Sequence, residues 1–441
     1  APRPLTGMPL RPSFSENDGR SGIPVSGRGA APAIILGETP RFLLPADFCR
    51  KAGLDLPDHD EGYALSADER GVYIAARNER GLFYGVTTLV QLIGATREGL
   101  SIRGVQIRDW PALDFRGVHV LAGPSAERDL TPAVRELMAR FKINTLVFEA
   151  DHLFWDGHPE LHWKERGMSK AAARKVMDAA AENMIEVIPL IQSLGHMDWL
   201  FYDKKYHKLA EDPKQPYAYC PTDPRSYELV YSVYQEAVDF FKSRYFHIGH
   251  DEVHTASRFP WRSRNTGKTV GELFLDDVLK HHAWFTERGI RIMLWGDMFL
   301  YKGEAPDAYN AVSQEEAVRM RSRLPGDAII TDWHYEPADP EKYRSLAIFK
   351  ELGLDAIGSG WDHPNNIRQL ARAGIQNNSM GYLQTTWAGW DFKVLDNEPA
   401  WKQFSAYILA GHYSWSGDPT PPEDLPFNAR DKFLEVYFPR K

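Results

Sequence analysis

Two adjacent carboxylates, Asp251 and Glu252, follow a short run of strand-forming residues, Arg244-Tyr245-Phe246-His247-Ile248. Aromatic and β-branched side chains favour an extended chain there, and Gly249 lets the backbone turn or be approached closely. Neighbouring side chains on a regular strand point to opposite faces. The two acids therefore share one pocket only if the pleat breaks down just before them. A carboxyl pair in such a pocket is an acid–base device, because burial or a nearby carboxylate holds one group protonated near neutral pH.

Three histidines, His247, His250 and His254, surround the pair. His250 and His254 stand four apart, the spacing of two metal ligands on one helix face. The zinc-protease pattern His-Glu-x-x-His does not fit, since Asp251 follows His250 and Glu252 comes one place late. The expectation is no metal and a hydrogen-bonding role for these histidines.

The acids need a frame that brings strand ends together. Eight strand-like runs cover 117–121, 144–148, 185–191, 245–249, 290–295, 328–333, 355–358 and 381–386. Helical patterns separate them, among them 131–141, 170–183, 225–242 and 270–287. Alternation on this scale implies parallel strands joined by crossovers, and eight units suggest a closed (β/α)8 barrel. Ahead of it, Phe42-Leu43-Leu44, Tyr63-Ala64-Leu65-Ser66 and Gly71–Ala76 read as strands, and 80–94 as a packing helix. That makes a small α+β unit. Residues 1–39, rich in Gly, Pro, Ser and Arg, read as an extended arm. The expected division is 1–109 for the arm and small α+β domain and 110–441 for the barrel.

Composition narrows the partners. A formal net charge of −8 argues against nucleic acid or an anionic membrane, and no apolar run is long enough to cross a bilayer as a helix. Cys49 and Cys220 cannot by themselves make a disulfide framework or a zinc site; two buried thiols or a single bridge both fit. The thirteen Trp suit sugar recognition as well as core packing. A start at Ala1-Pro2-Arg3-Pro4, without Met, fits a processed chain, and a secreted or periplasmic location is the expectation.

His247-Ile248-Gly249-His250-Asp251-Glu252 resembles the His-x-Gly-x-Asp-Glu signature of the family 20 glycoside hydrolases, the β-N-acetylhexosaminidases. Further matches follow in the same chain order. Arg80 to Leu89 resembles the end of the family's small domain, Asp114-Phe115-Arg116-Gly117 the opening of its first barrel strand, and Ile188-Pro189 with Leu194-Gly195-His196 its third. Leu294-Trp295-Gly296-Asp297, Asp332-Trp333-His334-Tyr335 and Thr385-Thr386-Trp387 resemble later strand ends. The resemblance spans roughly residues 40 to 400.

The resemblance implies a retaining exo-β-N-acetylhexosaminidase acting by substrate assistance without cofactor, on a glycan with a terminal β-linked N-acetylhexosamine. The family is an exception to the two-carboxylate scheme: the substrate's own acetamido oxygen attacks the anomeric carbon. Glu252 would be the general acid, Asp251 would accept the acetamido N–H, and Tyr335 would bond the acetamido oxygen. Arg116 would bind the sugar's O3 and O4, for which a rigid donor fork is suited. His196 would hydrogen-bond a carboxylate of the pair, and both His196 and His250 would belong to the substrate-binding set. Trp295 and Trp333 would wall the acetamido group, Trp387 would form the stacking floor, and Trp361 and Trp390 would complete the aromatic rim. Asp297 and Asp391 would bind outer hydroxyls. This chain departs from the family pattern after the second strand, where it reads Phe148-Glu149-Ala150-Asp151-His152. Glu149 or Asp151 would take the carboxylate role there. These departures give an expectation of activity on β-GalNAc at least comparable to that on β-GlcNAc. The rivals are a carbohydrate-binding relative without turnover and a glycosidase with a direct carboxylate nucleophile.

Overall fold

The computed structural model describes residues 23–24, 33–38, 44–97, 99–390 and 392–438. Eight parallel strands close into a barrel: β1 (Phe115–Leu121), β2 (Thr145–Glu149), β3 (Glu186–Ser193), β4 (Tyr245–Gly249), β5 (Arg291–Trp295), β6 (Ile329–Trp333), β7 (Asp355–Gly360) and β8 (Gly381–Gln384). Each pairs with its neighbour in chain order, and β8 returns to β1 with Gly381 opposite Phe115. The expected barrel and its strand positions are thus found to within a few residues.

Strand alternation sorts the side chains into an interior and a helix-facing set. Phe115, Val147, Ile188, Leu190, Met293, Trp295, Ile329, Ile357 and Leu383 fill the barrel interior. Above this apolar plug the inward positions turn polar: His119 bonds Glu149 at 2.7 Å and His247 bonds Thr331 at 2.7 Å. The change from apolar to polar layers marks the C-terminal mouth as the end built for chemistry.

The small domain is a four-stranded sheet in the order Ala33–Glu38, Gly71–Ala76, Tyr63–Asp68, Val105–Asp109. Helix Leu44–Lys51 packs Ala46 and Cys49 on one face against Ala64 and Ala75. Helix Glu79–Leu92 covers the other, where Tyr84 and Leu89 meet Tyr63, Leu65 and Ile74. Asn78 caps it by accepting from the N–H groups of Arg80 and Gly81. Two expectations change here. Leu44 opens a helix rather than ending a strand, and Phe42 and Leu43 lie outside the described residues. Ala33–Glu38, expected within an irregular arm, pairs in parallel with Gly71–Ala76, while most of the arm lies outside the described residues. The helix expected at 131–141 starts earlier, at Ala126, and widens into a π-turn over Val134–Met138 just after Pro132, which brings no N–H of its own. Cys49 and Cys220 are both buried free thiols.

Arg116 requires a correction. Phe115 faces the barrel interior, so Arg116 points outward from the first residues of β1, at the end opposite the mouth. Its side chain is fully buried against the small domain and the first loops. The guanidinium pairs with Glu61 at 2.6 Å and donates to the carbonyls of Lys142, Leu113 and Asp114 at 2.8, 2.9 and 3.0 Å. It also lies over the Trp415 ring. These contacts weld the small domain to the barrel and leave no donor for a sugar.

Candidate active site

The C-terminal mouth holds a cavity of about 410 Å³, within the usual range for small-molecule sites. Of the residues expected to bind or act on a sugar, Glu149, Asp151, His196, Asp251 and Trp387 line it, with Trp390. A larger cleft of about 650 Å³ opens at the N-terminal end. Ion pairs form its walls, Arg80 with Glu61 and Arg244 with Glu186, each at 3.2 Å, and barrel chemistry gathers at the other end.

The chain leaves β4 through left-handed conformations, with φ of +71° at Gly249, +74° at His250 and +50° at Glu252. Gly249 also leaves room for a neighbour: a Cβ there would lie 1.8 Å from the Gln192 side-chain oxygen, which would have to move. Left-handed backbone at non-glycine residues costs of order 1–3 kcal/mol each and persists only where the surroundings impose it. His250 shows how. Its Nε2–H donates to Asp277 Oδ2 at 2.9 Å, and its Nδ1 lies 2.7 Å from Ser193 Oγ. With His250 pinned behind the strand, Asp251 lines the cavity and Glu252 reaches His196 at its edge.

This corrects two readings of the histidines. His250 is wholly buried between β4 and helix Val270–Thr286 and does not line the cavity at the mouth. The segment after it is a turn, so His250 and His254 share no helix face. A different trio, His250, Asp277 and His281, has ligand atoms close enough for a metal. Asp277 there already accepts from the hydroxyls of Tyr219 and Tyr227, which makes the cluster a hydrogen-bonded knot holding the strand end.

His196 links the acid pair, its Nε2 lying 3.3 Å from Asp251 and 3.5 Å from Glu252. Burial alone would lower its pKa, but the Asp251 carboxylate, then Glu252, raise it to about 11. It therefore stays protonated across the neutral range. The Glu252 backbone N–H donates to Asp297 Oδ2 at 3.0 Å, and Asn310 and Trp333 donate to the same carboxyl at 2.7 and 3.2 Å. Asp297, expected to bind an outer hydroxyl, is instead a buried bracket that fixes Glu252. Burial and the Asp251 charge push it up to about 7.

That shift has a measurable consequence. Between about pH 4 and 7 folded Asp297 keeps a proton that the unfolded chain has lost, so its contribution to stability falls as pH rises across that window. Glu149 and Asp151, whose carboxyls burial also pushes well up, act in the same direction. Asp297→Asn should remove its share, giving a thermal midpoint that declines less between pH 4 and 7 than the wild type's. Parallel declines would contradict the assignment.

Trp387 lines the cavity and begins an aromatic cluster behind it. Its Nε1–H donates to the Tyr335 hydroxyl at 2.9 Å, which leaves the tyrosine's own proton outside that bond. Trp333 and Trp361 flank Tyr335 with ring centroids 5.0 and 5.5 Å away. Trp295 is a correction: it is fully buried in the barrel interior beneath Trp387 and His247, a foundation rather than an acetamido wall. Asp391 lies outside the described residues.

His119, Gln192 and Tyr217 were not anticipated. His119 faces inward with Phe115 and Gly117, and Gln192 with Ile188 and Leu190, so strand parity alone placed both in the top layer. Burial lowers the His119 pKa to about 3, keeping it neutral beneath the Trp387 ring. Tyr217 reaches the cavity from the long loop after β3, and nothing in its local sequence signals this.

A closed parallel barrel with a carboxylate pair at the end of β4, beside an aromatic-walled cavity, defines a barrel protein with a glycosidase-type site. Residues 136–345 match the model for the glycosyl hydrolase family 20 catalytic domain, and residues 29–110 match that for glycosyl hydrolase family 20, domain 2. The chain belongs to glycosyl hydrolase family 20. It is 28% identical over 302 residues to a β-hexosaminidase of Porphyromonas gingivalis, covering 57% of this chain and 38% of that protein. It is 27% identical over 370 residues to a β-hexosaminidase of Emericella nidulans, covering 74% and 56%. The chain thus spans from about a third to just over half the length of these two curated relatives. Its fold is similar to that of the β-N-acetylhexosaminidase of Streptomyces coelicolor, with a TM-score of 0.68 at 19% identity over 99% of this chain and 97% of that one. A chitobiase of Flavobacterium johnsoniae also gives 0.68, at 17% identity over 98% and 72%.

Proposed function

We propose that this chain is a retaining exo-β-N-acetylhexosaminidase working by substrate assistance. The observation that carries the reading is the convergence of Asp251 and Glu252 on His196 at a cavity that Trp387 also lines, with the Tyr335 hydroxyl hydrogen-bonded to that tryptophan.

Glu252 gives its proton to the glycosidic oxygen as the bond to the anomeric carbon breaks. The acetamido oxygen, steadied by the Tyr335 O–H, forms the new bond to that carbon from the other face. Asp251 accepts the acetamido N–H and offsets the charge that develops on nitrogen. Water then attacks the anomeric carbon, Glu252 takes its proton, and the ring C–O bond to the acetamido oxygen opens, so the configuration is retained. Asp297 and the His250–Asp277 knot hold the acids in place. Both C4 epimers are substrates in this reading, with β-GalNAc cleaved at least as well as β-GlcNAc, because the segment after β2 differs from the common family pattern.

Assay of 4-nitrophenyl β-N-acetylglucosaminide, its galacto epimer and 4-nitrophenyl β-glucoside tests this. Turnover of the two acetamido sugars without the glucoside supports the reading. Cleavage of the glucoside would favour a direct nucleophile, binding without turnover would favour a carbohydrate-binding relative, and a strong preference for GlcNAc would overturn the epimer reading.

A further inference from the structure

With Arg116 sealed beneath the barrel, another group must read the ring hydroxyls of the bound sugar. We propose that Asp151, braced by Glu149, binds those hydroxyls and restricts entry to uncharged, unsubstituted terminal sugars. This rests on the reading of the pocket as the site of an N-acetylhexosamine.

Asp151 stands two residues beyond the end of β2 and is 3% exposed. Its Oδ1 accepts the Gln192 backbone N–H at 2.8 Å, which fixes the carboxyl in the cavity wall. Its Oδ2 is buried with no hydrogen-bond partner. A buried carboxyl oxygen left unpaired carries a desolvation cost that a ligand hydroxyl would relieve. Glu149 lies beside it at the same cavity wall, held at 2.7 Å by neutral His119. Burial, then the Asp251 charge for Glu149 and the Glu149 charge for Asp151, push both carboxyls well up. A carboxyl oxygen accepts a hydrogen bond whether or not its group is protonated, so a sugar hydroxyl can donate to Asp151 Oδ2.

The chemical class follows from the charge. Among the described residues lining the cavity, His196 is the one cationic side chain, and it is engaged by Asp251 and Glu252. Asp198 adds another carboxyl to the lining, and it already holds the nearby Arg166 guanidinium at 2.5 Å. A sulfate, phosphate or carboxylate on the hydroxyls that face Asp151 would meet like charge with no free cation to receive it, which is a strong basis for exclusion.

The test combines Asp151→Ala and Asp151→Asn with 4-nitrophenyl N-acetylhexosaminides that lack either the 3- or the 4-hydroxyl. One deoxy sugar should raise the wild-type KM by about 10- to 100-fold, the loss of a hydrogen bond to a charged group. In Asp151→Ala that penalty should vanish, because parent and deoxy sugar are then bound equally poorly. Asp151→Asn, which keeps an acceptor, should recover part of the parent KM and carries the same comparison if the alanine variant fails to fold. Equal loss on parent and deoxy sugars, or a fall in kcat with KM unchanged, would overturn the proposal. If the wild type turns over none of these glycosides, the catalytic reading fails by itself. Calorimetric binding of N-acetylglucosamine and its deoxy forms then still decides whether Asp151 is the recognising group, by the same loss or survival of the penalty.

Discussion

Glu252→Gln lowers turnover of a glycoside with an unactivated sugar leaving group by about 10²–10⁴-fold, the usual worth of a positioned general acid. The substitution is nearly isosteric, and the backbone contacts that set residue 252, its φ of +50° and its N–H bond to Asp297, do not involve the side chain. Fold and substrate affinity should therefore survive. A 4-nitrophenyl glycoside needs little protonation of its leaving group and should lose much less. The ratio between the two substrates, measured by steady-state kinetics, is the diagnostic quantity. An equal loss on both would assign Glu252 another role.

Asp251→Asn is expected to lower kcat by about 10²–10³-fold, the magnitude found when one electrostatic contact to a transition state is removed. Here the loss should fall on both kinds of leaving group, since the ring closure that Asp251 assists accompanies departure of either. His196 also loses one of its two anionic neighbours. Its own proton becomes easier to remove, so the alkaline side of the pH profile should move to lower pH. Azide added to this variant should restore nothing. An inverted glycosyl azide would show that Asp251 had been a direct nucleophile.

The barrel was legible because its strands carry a strong local signal: apolar inward positions alternate with helix-facing ones, bounded by helical patterns and turn residues. The position of the acid pair was legible for the same reason, since Gly249 ends the pleat where the sequence suggests it should. What local pattern could not supply was which face a residue takes when the motif is shared but the partners are not. Arg116 follows an inward-facing phenylalanine, and its outward fate is set by Glu61 and Tyr84, from a domain 30 or more residues earlier in the chain. His250 has metal-like spacing in sequence, yet its environment is made by Ser193 and Asp277 from two other elements. Asp297 ends a strand like a ligand-binding group, and only the arrival of the Glu252 N–H shows it to be a bracket. In each case the sequence named a residue that matters and left its partner to the tertiary structure.

The central claim is that the substrate's own acetamido oxygen is the nucleophile. The most direct measurement of it is kcat across a series of aryl glycosides whose N-acetyl group carries none, one, two or three fluorines. Each fluorine withdraws electron density from the amide oxygen while changing the group's size little. If Asp251 and Tyr335 serve that oxygen, log kcat falls steadily with each substitution. A rate indifferent to the fluorines would mean that the oxygen forms no bond in the transition state, and would contradict the account.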